Sequence, residues 1–97
     1  MNVIATIRSL RADKKMSQAQ LATLAGLSTT YIALVESGKK STTLISLQKI
    51  SEALGIPFPI LSFMSLDVQD IKPEKRDAYN VIAPAINSML KSFFEDV

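Results

Sequence analysis

Only three glycines occur in the 97 residues, Gly26, Gly38 and Gly55, and each closes a segment whose apolar residues recur at helical rather than alternating spacing. A chain punctuated this way folds as a series of short helices. Val3, Ile4, Ile7, Leu10 and Arg11 mark one face of a first helix that should end near Asp13 to Lys15. Ser17 then offers a hydroxyl as N-cap, and Gln20, three residues on, completes a capping-box pattern. The second helix, from Gln18 to about Ala25, is expected to bury Leu21, Ala22 and Leu24 and to stop at Gly26, where glycine tolerates the left-handed conformation. Ser28 caps a third helix with Ile32 and Val35 turned inward, stopping before Gly38.

Thr42 or Thr43 caps a fourth helix carrying Leu44, Leu47, Ile50, Ser51 and Leu54 on one face, and Gly55 ends it. Pro57 and Pro59 suit the first turn of a short fifth helix that runs to about Met64. The polar stretch from Leu66 to Pro73 reads as a connector. Beyond it, Tyr79, Ile82, Ile86, Met89 or Leu90, and Phe93 recur at helical spacing, with Pro84 inside the pattern. Proline lacks an N–H and clashes with the preceding turn, so a kink or two short helices are expected there. No alternating run competes for a strand, so the fold is all-α.

Charge is distributed unevenly. Arg8, Arg11, Lys14, Lys15, Lys39, Lys40 and Lys49, against Asp13 and Glu36, leave the part before Ile50 at +5, whereas the remainder is −3 and the whole chain only +2. A concentrated positive region on a near-neutral chain is the footprint of a phosphate-binding surface joined to something that binds elsewhere. Cysteine and histidine are both absent. No disulfide framework, metal site or cofactor is therefore expected, and the scattered Ser, Lys and carboxylates form no catalytic constellation. The start has no basic region followed by an apolar run, and no stretch approaches the ~20 apolar residues that span a bilayer, so a cytoplasmic location without membrane contact is expected. Hydrophobic residues make up 47% of the chain, a high share for a small interior, which implies that some apolar surface meets a partner.

The most informative segment runs from Gln18 to Ser37. Two short helices joined through a glycine must touch at a small residue, and Ala22 fills that place. Counting from Gln18, alanine stands fifth, glycine ninth, and β-branched residues fifteenth (Ile32) and eighteenth (Val35). These spacings resemble the helix-turn-helix of the Cro and phage-repressor-like proteins, the XRE family. The resemblance extends from about Ile4 to Phe58, including Gly38-Lys39-Lys40 and the Leu44 to Ile56 run. It implies a five-helix repressor-like DNA-binding domain over residues 1–65, followed by a C-terminal helical extension over 66–97.

What the resemblance implies for individual residues follows the general docking of such motifs, with the third helix in the major groove and the second across the backbone. Gln18 is expected to hydrogen-bond a phosphate. Ser28, Thr29, Thr30, Leu34 and Ser37 are expected on the groove-facing side, where hydroxyls donate or accept and methyls touch thymine. Tyr31 reaches a phosphate or packs beside the sugar backbone, and Lys39 and Lys40 meet phosphates. Arg11 and Glu36 are expected to form a structural ion pair, with a phosphate contact from Arg11 as the alternative. The third helix carries no Arg, Asn, Gln or Lys, so base readout is expected to be soft, with methyl contacts, bridging waters and DNA deformability sharing it.

Beyond Met64 the resemblance ends. The stripe of Tyr79, Ile82, Ile86, Met89, Leu90 and Phe93 either folds back on the head or forms the seam of a homodimer, and the dimer is favoured because symmetric operators need two heads about 34 Å apart. The expectation is thus a homodimeric repressor on an inverted repeat in double-stranded DNA. The alternative is a protein-interaction module, such as an antitoxin whose C-terminal helices capture a partner protein.

Overall fold

The structure, a computed structural model, describes residues 1–94; the last three residues of the predicted extension lie outside the described residues. Helix α1 (Val3–Asp13) starts at Asn2, whose side chain accepts the Ala5 N–H. Helix α2 (Gln18–Ala25) opens on the expected capping box: Ser17 Oγ accepts the Gln20 N–H at 3.0 Å, and Gln20 Oε1 accepts the Ser17 N–H at 2.7 Å. It stops at Gly26, whose φ of 69° lies in the left-handed region that a side chain disfavours. Helix α3 (Thr29–Glu36) is capped by Ser28 and helix α4 (Leu44–Ala53) by Thr43 rather than Thr42. Pro57 and Pro59 open α5 (Phe58–Met64). Because reciprocal caps satisfy otherwise orphaned N–H groups, Ser17→Ala should cost about 1 kcal/mol, measured as a lower urea midpoint at unchanged slope.

Ten buried apolar side chains form one core: Ile7 and Leu10 from α1, Leu21, Ala22 and Ala25 from α2, Ile32 from α3, Ile50 from α4, then Leu54, Ile56 and Leu61. Helix α2 packs on both α3 and α4, while α1 packs on α3 and α5. The buried Ser51 hydroxyl donates to the Ile56 carbonyl, satisfying a polar group that the helical pattern places inside.

The inner face of α2 differs from the expectation: Leu24 is 62% exposed and Ala25 takes the buried place. Leu21, Ala22 and Ala25 stand at i, i+1 and i+4, within one narrow sector of a helix, whereas Leu24 lies beyond its edge. A short helix wedged between α3 and α4 accepts a small residue at that crossing and turns the larger one outward. Leu44, in the first turn of α4, is likewise exposed, because the apolar pattern there outruns the core it serves.

The connector is more ordered than its polarity suggested. It forms two 3₁₀ turns, Val68–Asp70 and Pro73–Lys75, the first capped by Asp67. Then α6 (Arg76–Phe94) runs through Pro84 as one helix and not as the two short helices that were one of the two expected outcomes. A missing N–H removes one hydrogen bond of the ladder, and contacts on both sides of it keep the halves together: Ala83 is buried, Tyr79 Oη donates to the Leu66 carbonyl at 3.0 Å, and Phe94 packs against the core. Helix α6 therefore lies back on the head, where Lys14 Nζ also donates to the Phe94 carbonyl at 3.3 Å. Among the described residues no single helix is long and apolar enough to cross a membrane.

Candidate nucleic-acid interface

Helix α3 buries Ile32, Val35 and Glu36 and turns the other side outward. Ser28, Thr29, Thr30 and Ser37 are exposed, and Tyr31 and Leu34 are half-buried beside them. Glu36 is the one acid in this stretch and it is 4% exposed, so the outer face meets solvent with hydroxyls and methyls and without negative charge. Such a face can approach a polyanion without repulsion.

Arg11 sets the angle of α3. Its guanidinium grips Glu36 with both prongs, Nε to Oε2 and Nη2 to Oε1 at 2.8 Å each, and its Nη1 donates to the Met16 carbonyl at 2.8 Å. One side chain from α1 thus ties the lead-in to α2 and the end of α3. The hydrogen bonds that Arg11 donates to Glu36 raise the Arg11 pKa above its already high usual value. Gln18 joins this network: its Nε2 donates to Glu36 Oε1 at 3.2 Å. That bond uses one of the two Nε2 hydrogens, so a phosphate contact through the other is compatible with it.

The loop after α3 is folded against the helix it leaves. Gly38, at φ 78°, lets the chain reverse; the Ser37 hydroxyl and the Lys39 and Lys40 N–H groups all donate to the Leu34 carbonyl, at 3.0, 3.0 and 3.2 Å. Ser37 therefore serves the helix terminus with its side chain. Lys39 and Lys40 stand exposed on this reversal, with Lys40 Nζ 5.2 Å from the centroid of the Tyr31 ring. Tyr31 Oη lies 3.1 Å from Thr42 Oγ1. Hydrogen bonding from Ser46, then Thr42, holds the Tyr31 phenol below its usual pKa, and the Lys40 charge adds to this.

Tyr31 is thus tied by its hydroxyl to the protein's own loop. Thr42 and Met16 were not among the expected site residues; both contribute through contacts that no helical spacing reveals. Of the six residues read as a dimer seam, Tyr79, Ile86 and Leu90 are half-buried, with Tyr79 bonded to the connector, whereas Ile82, Met89 and Phe93, along one edge of the same stripe, are exposed. Among the described residues no cluster of three or more carboxylates, histidines or cysteines could hold a metal ion.

Similarity to known proteins agrees with this geometry. The chain is 32% identical over 66 residues to the transcriptional repressor RghR of Bacillus subtilis and 38% identical over 56 residues to the immunity repressor of Bacillus phage phi105. These alignments cover 67% and 58% of the chain but only 49% and 39% of those relatives, so the chain spans half or less of their lengths. The control protein C.BamHI of Bacillus amyloliquefaciens is 39% identical over 62 residues, covering 62% of the chain and 76% of the relative. In structure, the chain resembles the restriction-modification controller C.AhdI of Aeromonas hydrophila with a TM-score of 0.58 and 36% identity, over 61% of this chain and 89% of that one. Residues 7–61, more than half of the chain, match the helix-turn-helix family, and the protein belongs to it.

Proposed function

We propose that the protein is a sequence-specific DNA-binding transcriptional regulator, a homodimeric repressor that reads an inverted repeat. The observation that carries this is the acid-free hydroxyl and methyl face of α3, flanked by Lys39 and Lys40 and braced at a set angle by the Arg11–Glu36 pair. Ser28, Thr29, Thr30 and Leu34 enter the major groove, and the two lysines neutralise phosphates. With no bidentate reader on α3, discrimination between bases rests on methyl contacts, water and DNA shape. Relatives named as repressors and control proteins support regulation as the outcome, and their bacterial and phage sources fit action in the cytoplasm.

The head, residues 1–65, supplies the DNA contacts, and the extension, 66–97, joins two heads. Support for the second role comes from α6, where Val81 and Phe93, each 78% exposed, accompany Ile82 and Met89 on an outer side that also carries Ala78 and Ala85 and no charge. Unpartnered apolar helix faces of this kind mark protein contacts.

Selection from a random duplex pool at fixed salt, followed by anisotropy titration, tests the proposal. An inverted repeat with half-sites one helical turn apart should be enriched and bound by two chains. Thr30→Ala should change site preference, while Lys39→Ala should weaken all duplexes about equally and flatten the salt slope by about 1. A wild type that binds no duplex above random DNA overturns the proposal. One chain per duplex, together with a different protein co-purifying in stoichiometric amount, would favour the protein-capture alternative.

A further inference from the structure

The loop from Gly38 to Thr42 carries both lysines assigned to phosphates, yet it has no regular structure of its own. An unrestrained loop would lose much of its electrostatic attraction to the entropy of ordering two long side chains on binding. Its first half is fastened by the Leu34 carbonyl, through the Lys39 and Lys40 N–H groups. Its far end is fastened by one side chain, Tyr31, which projects from the first turn of α3 to Thr42, next to the residue that caps α4. The same ring lies under the Lys40 ammonium at a cation–π distance.

The geometry points to Tyr31 as the positioning residue of the phosphate clamp: its hydroxyl pins Thr42 and its ring holds Lys40, so that the lysine loop and the recognition helix meet DNA as one preformed surface. This rests on the DNA-binding reading above and assigns Tyr31 a role through Thr42 and Lys40, with no contact of its own to bases. A half-buried ring whose hydroxyl is already engaged is poorly placed to read sequence, and well placed to lower the ordering cost of its neighbours.

Three variants and one double variant test it. Tyr31→Phe keeps the ring and loses the tie to Thr42; it should weaken specific and random duplexes alike by about 2- to 10-fold, leaving the order of preferred sites unchanged. Tyr31→Leu also removes the cation–π surface, so it should weaken binding further and lower the salt slope by up to about 1. Because that loss runs through Lys40, adding Tyr31→Leu to a Lys40→Gln variant should leave the slope where Lys40→Gln alone puts it. In the protein without DNA, amide exchange at Lys39 and Lys40 should quicken in Tyr31→Phe while the thermal midpoint moves little.

Altered base preference in Tyr31→Phe would make the hydroxyl a reader and overturn the assignment. Wild-type affinity and unchanged loop exchange in that variant would overturn it too, as would additive slopes in the double variant. If Tyr31→Leu fails to fold, Tyr31→Phe alone decides. A wild type that binds no DNA instead overturns the proposed function, and the exchange measurement then still reports whether Tyr31 orders the loop.

Discussion

Glu36→Ala is expected to lower the thermal midpoint by on the order of 15 °C. Removing one partner from a buried, hydrogen-bonded ion pair leaves the other charge uncompensated and costs about 3–5 kcal/mol; Arg11 retains some solvent, which places the cost near 3. A domain of this size loses roughly 4–8 °C per kcal/mol. Gln18 loses its acceptor in the same step, so α2 and α3 are both released. The double variant Arg11→Met with Glu36→Leu should recover most of the midpoint, since well-packed apolar residues often replace a buried pair without loss. Calorimetry on the single and double variants checks this. If the single variant melts with the wild type, the pair is not what holds α3 in place.

Leu21→Ala should cost on the order of 3 kcal/mol, and Leu24→Ala less than about 0.5. Both residues are leucines on the same eight-residue helix, three positions apart. Leu21 is wholly buried where α2 meets α3 and α4, so truncation loses transfer free energy and leaves a cavity that rigid neighbours cannot fill. Leu24 is mostly in solvent before and after the change. Urea unfolding with a common slope would separate the two. Equal costs would mean that α2 packs by a face other than that of Leu21, Ala22 and Ala25.

That pair of leucines also shows where the sequence stops being sufficient. Helix starts and stops were legible because they depend on atoms within four residues of one another. Ser17 with Gln20, Ser28 with the Tyr31 N–H, and Gly26 at positive φ are local bargains between side chain and backbone, the same in any tertiary setting. The choice between Leu24 and Ala25 is different, because the width of the buried sector depends on how closely α3 and α4 approach. Spacing allows either residue, and the neighbours select the smaller.

Helix α6 repeats the lesson at larger scale. Its apolar residues form one broad stripe with two edges of different fate, one laid on the head through Ala83 and Phe94 and one facing outward through Ile82, Met89 and Phe93. A 19-residue helix has room for both, and only the position of the head says which is which. Pro84 lies within it without ending it, because tertiary contacts on both sides offset the lost hydrogen bond.

At the candidate interface, the order of residues from Gln18 to Ser37 was enough to identify the motif and the exposed, uncharged character of α3. The roles of two polar side chains were decided in three dimensions. Gln18 turned to Glu36 and Tyr31 to Thr42, each because its partner lay within hydrogen-bonding distance once the chain had packed, whereas the Ser37 bond to Leu34, three residues back, is local. Sequence by itself determined the first five helices, the caps of α2 and α3 and the kind of surface α3 presents, since these follow from periodicity and local bonding. Tertiary structure decided which polar groups on that surface brace the head and which face outward, since a hydrogen bond between residues 11 or 18 positions apart exists only after the chain has brought them together.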